Sequence, residues 1–161
     1  MTEAMASLYV PQHAKFILMK QQQRTLTIAT NGQGLYEFTR EANAFVKTSG
    51  IAVGQLTLYC RHTSASLVIQ ENADPDVQTD LVTALRHLAP MNAGWVHDAE
   101  GPDDMPAHIK AMLNGVSLHV PVTAGALALG TWQGIYVAEH RARPHTREVL
   151  LHFIGSKRPL R

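Results

Sequence analysis

Between residues 24 and 30, Leu26 and Ile28 alternate with threonines, the two-residue period of a strand with one face against a core. Similar strand character marks residues 15–20, 51–61, 66–70, 117–122, 126–129, 131–140 and 147–154. In 51–61, Leu56, Leu58 and Cys60 fall on one face, while 66–70 has the apolar density of a buried strand. Three segments change period. Over 36–48, Phe38, Ala42, Phe45 and Val46 share one side of a helix, and Gly50 supplies its stop. Asp74-Pro75 opens a second helix, with aspartate suited to the N-cap and proline to the first helical position. Its apolar stripe runs through Val77, Leu81, Leu85 and Leu88 towards Pro90. A short third helix is predicted over 106–113, closed by Asn114-Gly115. Turns are predicted at Asn31-Gly32-Gln33-Gly34, at Ala124-Gly125 and near Pro144. Residues 91–104 are too polar, and too rich in Gly and Pro, for regular structure; long loops in compact domains are more often functional than not. Many strands with a few helices between them predict an α+β, β-rich fold: a two-layer, sandwich-like antiparallel or mixed sheet with two to three flanking helices.

Composition narrows the function classes. A chain of 161 residues without linker, repeat or low-complexity tract reads as one domain over 1–161, with residues 1–12 as a loose extension. A formal net charge of +1, with Lys and Arg scattered, offers no footprint for nucleic acid or an anionic membrane. No apolar run approaches the ~18 residues of a membrane helix, and no secretory signal precedes the first strand. The single cysteine, Cys60, allows no intrachain disulfide and reads as a packed small hydrophobe. These features suggest a cytoplasmic protein whose partner is a small phosphorylated molecule or anion.

Two polar clusters interrupt this ordinary background. His62-Thr63-Ser64-Ala65-Ser66 precedes an apolar strand whose other end runs into Glu71-Asn72-Ala73-Asp74, and His97 to Lys110 gathers histidines and carboxylates around the long loop. Neutral imidazoles from His62, His97 and His108 can bind a transition metal such as zinc and leave a position for water or substrate. The carboxylates Glu71, Asp76, Asp80, Glu100, Asp103 and Asp104 instead suit magnesium, although Asp76 and Asp104 also suit helix starts. Lys110, Arg61 and Arg141 are candidate phosphate partners. In Gly130-Thr131-Trp132-Gln133-Gly134, Trp132 can offer an aromatic face at a pocket wall or pack in a core or interface. The other histidines lie on strands, turns or a helix surface and are set outside the site.

The His62–Leu67, Glu71–Pro75, His97–Lys110 and Gly130–Ile135 blocks resemble the YjbQ family, described as secondary thiamine-phosphate synthases. The likeness runs from about residue 14 to 156. It implies a β-rich sandwich with flanking helices, a homotrimer, and a pocket where His62, His97 and His108 gather with Glu71, Asp104 and Lys110 nearby. Glu139-His140-Arg141 also matches, which adds Arg141. The implied reaction joins a hydroxymethylpyrimidine pyrophosphate to a thiazole phosphate and releases pyrophosphate. On this reading His62, His97 and His108 hold a divalent metal, zinc or magnesium. Glu71 belongs to the catalytic set, Lys110 and Arg141 contact the leaving phosphates, Asp104 lies among the substrate-binding residues, and Trp132 stacks on a heteroaromatic ring. The alternatives are metal-assisted hydrolysis of another small phosphorylated metabolite, and a trimeric protein that binds a metal and a small anion without turnover.

Overall fold

The computed structural model describes residues 18–157. The expected extension over 1–12, and the start of the strand expected over 15–20, lie outside the described residues. Eight strands and three helices follow in the order β1 (Met19–Asn31), β2 (Gly34–Glu37), α1 (Thr39–Ser49), β3 (Val53–Cys60), β4 (Ala65–Glu71), α2 (Pro75–Leu88), α3 (Asp104–Asn114), β5 (Ser117–Thr123), β6 (Ala126–Leu127), β7 (Gln133–Glu139) and β8 (Pro144–Ser156). A five-stranded sheet is ordered β1-β8-β3-β5-β6 and a three-stranded sheet β2-β7-β4. Every pairing is antiparallel. The fold is therefore α+β and β-rich, with wholly antiparallel sheets.

Alternation explains the core. Leu56 and Leu58 of β3, Val120 and Val122 of β5, and Val149, Leu151 and Phe153 of β8 turn inward. They meet Leu67, Ile135 and Val137 of the small sheet, and Phe45 and Val46 of α1, in one apolar cluster. Cys60 is buried in that cluster, and its thiol proton points to the Ala65 carbonyl. Burial raises the Cys60 pKa, as expected of an inert packed thiol. Where β3 passes β8, Gly54 lies opposite Gly155; a Cβ on either would fall 2.2 Å from a backbone oxygen across the pair. The opposite face of the large sheet is polar: Gln23 bonds His152, and Gln55 and Thr57 bond His119.

Several boundaries differ from the sequence pattern. One thirteen-residue strand, β1, spans a stretch whose middle (Gln21, Gln22, Gln23 and Arg24) has no apolar side to read. Tyr36 and Glu37, expected in the first helix, pair with Val137 and Tyr136 as part of β2. The helix starts only at Thr39 and ends, as expected, at Gly50, whose φ of 67° is left-handed. Asp74 caps α2 by accepting from the Asp76 amide. However, no residue of α2 is fully buried, so its stripe is only half covered. The turn expected near Pro144 falls at residues 141–143, and Pro144 itself opens β8, a position where its missing N–H costs the ladder nothing.

Candidate metal centre

Helix α3 begins two residues earlier than its sequence suggests, and this places the site. Pro106 is the third helical residue, still within the first turn, where backbone N–H groups have no intrahelical acceptor. Asp104 thus becomes helical and sits four residues before His108, on the same face. The loop before α3 folds back so that His97 reaches them. His97 Nε2 lies 2.8 Å from Asp104 Oδ2, and His108 Nε2 lies 3.6 Å from the same oxygen. The two rings stand 5.5 Å apart between centroids. One ligand atom from each of His97, Asp104 and His108 falls within 4.8 Å of the others, a group able to hold a metal ion.

The surroundings orient these donors. His108 Nδ1 lies 2.9 Å from the Thr63 carbonyl, which can only accept. Nδ1 therefore carries the proton, and in the neutral ring the Nε2 lone pair faces Asp104. A cation placed between that lone pair and the carboxylate 3.6 Å away would be held by both, and metal-bound histidines usually donate their other ring nitrogen to a carbonyl or carboxylate in this way. Asp104 is 2% exposed, and its other oxygen accepts from Arg141. Arg141 also donates to Asp103 at 3.2 Å and to the Glu100 carbonyl at 2.8 Å. Asp103 in turn accepts from the Ala142 amide, which leaves α3 without a side-chain cap from Asp103. In the same loop Gly101 adopts φ 112°, and its carbonyl accepts from the Asp104 amide.

The arrangement differs from the expected trio of imidazoles. Asp104 takes the third position. His62 lines the same open groove as His108, but its Nε2 accepts the Glu148 amide at 2.7 Å. Burial, with the Arg147 charge behind it, lowers the His62 pKa, so the ring is the neutral acceptor this bond needs. The groove, of about 680 Å³, is also lined by Tyr59, Arg61, Thr63 and Met112. Arg61 pairs with Glu148 at 3.0 Å, with both side chains about half exposed.

Three other expected members lie elsewhere. Lys110 is two residues beyond His108, about 200° around the helix, and its side chain is buried facing α2 and β2. Burial, and then the charge of Arg86, lowers its pKa. Glu71 and Trp132 sit at the far end of the β4–β7 ladder, where Glu71 pairs with Gln133 while Ala65 pairs with Glu139 at the near end. Seven residues of strand separate the two ends by about 20 Å. Trp132 is 64% exposed there. Arg141 does reach the site, but it holds Asp104 rather than standing free for a substrate.

His140, set aside in the sequence reading, is 2% exposed and bonds Ser66 Oγ through Nε2 at 2.8 Å. Burial pushes its pKa down to about 4, and Lys110 adds to the effect. The unfolded chain takes up this proton near pH 6.5 while the folded one does not, so stability is full above about pH 6.5 and falls as acid approaches pH 4. At about 1.4 kcal/mol per unit the window spans about 3 kcal/mol. Urea unfolding at pH 7 and pH 4.5 should show a shallower pH dependence in His140→Gln than in the parent.

The features so far define a β-rich α+β protein with a His/Asp group at the lip of a groove. Residues 24–156 match the model of the YjbQ family, described as UPF0047 protein YjbQ-like, and the chain belongs to that family. It is 50% identical over 137 residues to a UPF0047 protein of Synechocystis, covering 84% of this chain and 93% of that one. It is 39% identical to the UPF0047 protein YugU of Bacillus subtilis, covering 82% and 98% of the two chains. A crystal structure of a yjbq/upf0047 family protein from Clostridium acetobutylicum superposes with a TM-score of 0.71 at 35% identity, covering 84% and 98%. A YbjQ-like protein of Sulfolobus solfataricus reaches 0.80 at 24% identity, covering 86% and 100%, a likeness of fold alone. Among the described residues no helix is long and apolar enough to cross a membrane.

Proposed function

We propose that this protein is a metal-dependent enzyme acting on a small phosphorylated metabolite, with thiamine-phosphate synthesis as its reaction. One observation carries the reading: His108 is turned by the Thr63 carbonyl so that its Nε2 converges with His97 and the buried Asp104 beside a groove large enough for a metabolite. Two imidazoles and one carboxylate form a donor set that suits zinc or a similar transition ion better than magnesium, which prefers oxygen. A bound ion would supply Lewis-acid stabilisation of charge on phosphate oxygens.

In this reaction the bond from the pyrimidine methylene to the pyrophosphate oxygen breaks, the thiazole nitrogen bonds to that carbon, and pyrophosphate leaves. Tyr59 and Met112 can hold the organic part against the groove wall. Arg61 can release the weak, exposed Glu148 pair to meet a phosphate. Glu71 and Trp132 are too distant within one subunit; in the homotrimer that forms part of this proposal they would serve a neighbour's groove, and sedimentation should give three times the chain mass. A second reading, hydrolysis of another phosphorylated metabolite, is favoured by the imidazole-rich donors, which suit an ion with open positions for water. The protein would be in the cytoplasm.

The test is to strip the purified protein of metal, reload it with zinc or magnesium, and supply both precursors. Thiamine phosphate should form only with metal, and His97→Ala and His108→Ala should lose both metal and turnover. His62→Ala should keep its metal. Trace synthesis that ignores metal, alongside hydrolysis of phosphate esters, would favour the second reading; saturable binding without turnover would make the protein a binding module.

A further inference from the structure

His62 is fixed by a bond that decides what its ring can offer a ligand. Strand β3 ends at Cys60, paired with Val149, and the ladder runs one step further as the Arg61 amide donates to the Glu148 carbonyl at 3.1 Å. The Glu148 amide then finds its acceptor in a side chain, donating to His62 Nε2 at 2.7 Å. An N–H donates only to an unprotonated ring nitrogen, so the Nε2 lone pair is used and the neutral ring carries its proton on Nδ1. No lone pair remains for a metal ion, in keeping with the place of His62 outside the His97, Asp104 and His108 group.

The Nδ1–H has no acceptor among the described residues. Every buried side-chain nitrogen among them has a partner, so Nδ1 is not buried, and the open space at His62 is the groove of about 680 Å³. The groove wall carries no carboxylate, and its charged side chain is Arg61, which is more than half exposed. The next residue, Thr63, orients His108 through its carbonyl, so this donor stands beside the support of the metal group. What such a wall complements is an anion whose oxygens only accept, and a phosphoryl group meets that description.

We propose that His62 is a substrate-contacting residue whose Nδ1–H donates to a non-bridging oxygen of a phosphoryl group bound in the groove, as a neutral donor held in place by the Glu148 amide. The inference rests on reading the groove as a phosphate site and deepens it, giving His62 a task other than metal binding.

Nitrogen-resolved NMR of the histidine rings in the full chain, with inorganic phosphate as the probe, tests this. At pH 7 His62 should show a protonated Nδ1 and a bare Nε2. The Nδ1 signal should move on titration with phosphate and stay still with sodium chloride of equal ionic strength. Two substitutions then separate the two nitrogens, since the amide nitrogen of asparagine can stand where Nδ1 stands and the amide oxygen of glutamine where Nε2 stands. His62→Gln should keep the parent's melting temperature but bind phosphate about tenfold more weakly, the worth of one hydrogen bond to a charged group. His62→Asn should melt lower, having lost the Glu148 bond, yet bind phosphate more tightly than His62→Gln. A ring that serves only to hold Glu148 gives the reverse order, and the proposal falls; it falls too if the Nδ1 signal ignores phosphate. If His62→Asn fails to fold, the parent and His62→Gln still decide the matter. Phosphate binding that depends on position 62, in a protein that makes no thiamine phosphate, removes the synthase reading alone. Turnover with phosphate affinity indifferent to position 62 removes this inference alone.

Discussion

Glu139→Ala should lower stability by about 3–5 kcal/mol, the usual cost of stranding one member of a buried ion pair. Glu139 is 2% and Arg147 4% exposed, and the pair is bidentate, with Arg147 Nε at 2.6 Å and Nη2 at 2.5 Å. Thr30 Oγ1 and the Arg141 amide complete the carboxylate. Truncation leaves the Arg147 guanidinium, 4% exposed, without the carboxylate that accepts from it. For a chain of this length the melting temperature should fall by roughly 6–20 °C. Replacing both residues together, as Glu139→Leu with Arg147→Met, should recover much of the loss, because the pair's attraction largely offsets its own desolvation. A double-mutant cycle by calorimetry at pH 7 measures both effects. Acid should act in the same direction. Burial alone would raise the Glu139 pKa, but the hydrogen bonds from Arg147, the Arg141 amide and Thr30 outweigh it and hold the carboxyl below its ordinary value. Its contribution is therefore complete above about pH 4.3 and lost as pH falls through the lower folded value.

Asp104→Asn should leave the fold nearly intact while removing metal binding. Arg141 keeps the Asp103 carboxylate and the Glu100 carbonyl as partners, and the amide oxygen of asparagine can still accept from it. What disappears is the negative charge between His97 and His108, together with the only oxygen donor of the group. Changing a residue that merely supports a ligand commonly weakens metal binding by about 10–100-fold, so losing a ligand should exceed about 100-fold. Isothermal titration with zinc and elemental analysis read the affinity directly. The apo melting temperature, compared with the parent, checks that the fold survives. Zinc binding of unchanged strength would remove Asp104 from the centre.

Residues whose neighbours in the chain are also their structural context were readable in advance. Leu56, Leu58 and Cys60 announce one face of β3, Asp74-Pro75 announces the cap of α2, and Gly50 ends α1 because the backbone there is left-handed. The polar run in β1 concealed a strand because one face of this edge is solvated and its partner, β8, lies far away in sequence. In the site, His97 and His108 are visible as candidates, whereas the resemblance places Asp104 with the substrate, and a helix read as starting at Pro106 hides its alignment with His108. Four-residue spacing between Asp104 and His108 was the signal available. Nothing in a side-chain pattern could reveal the Thr63 carbonyl, which is a backbone group brought in by the connection between β3 and β4. Lys110 was misplaced for the complementary reason: nearness along a helix is not nearness around it.

Consecutive residues at the β7–β8 connection face three different tasks. Glu139 neutralises a guanidinium in the interior, His140 ties β7 to Ser66, and Arg141 fixes the aspartate of the metal group. Connections between strands generally tolerate added or missing residues. This one is constrained, because an insertion beside His140 would shift Arg141 away from Asp104 while the β7 ladder holds Glu139 in place. Its length is thus dictated by chemistry on both flanks, for β7 and β8 belong to different sheets and form no hairpin.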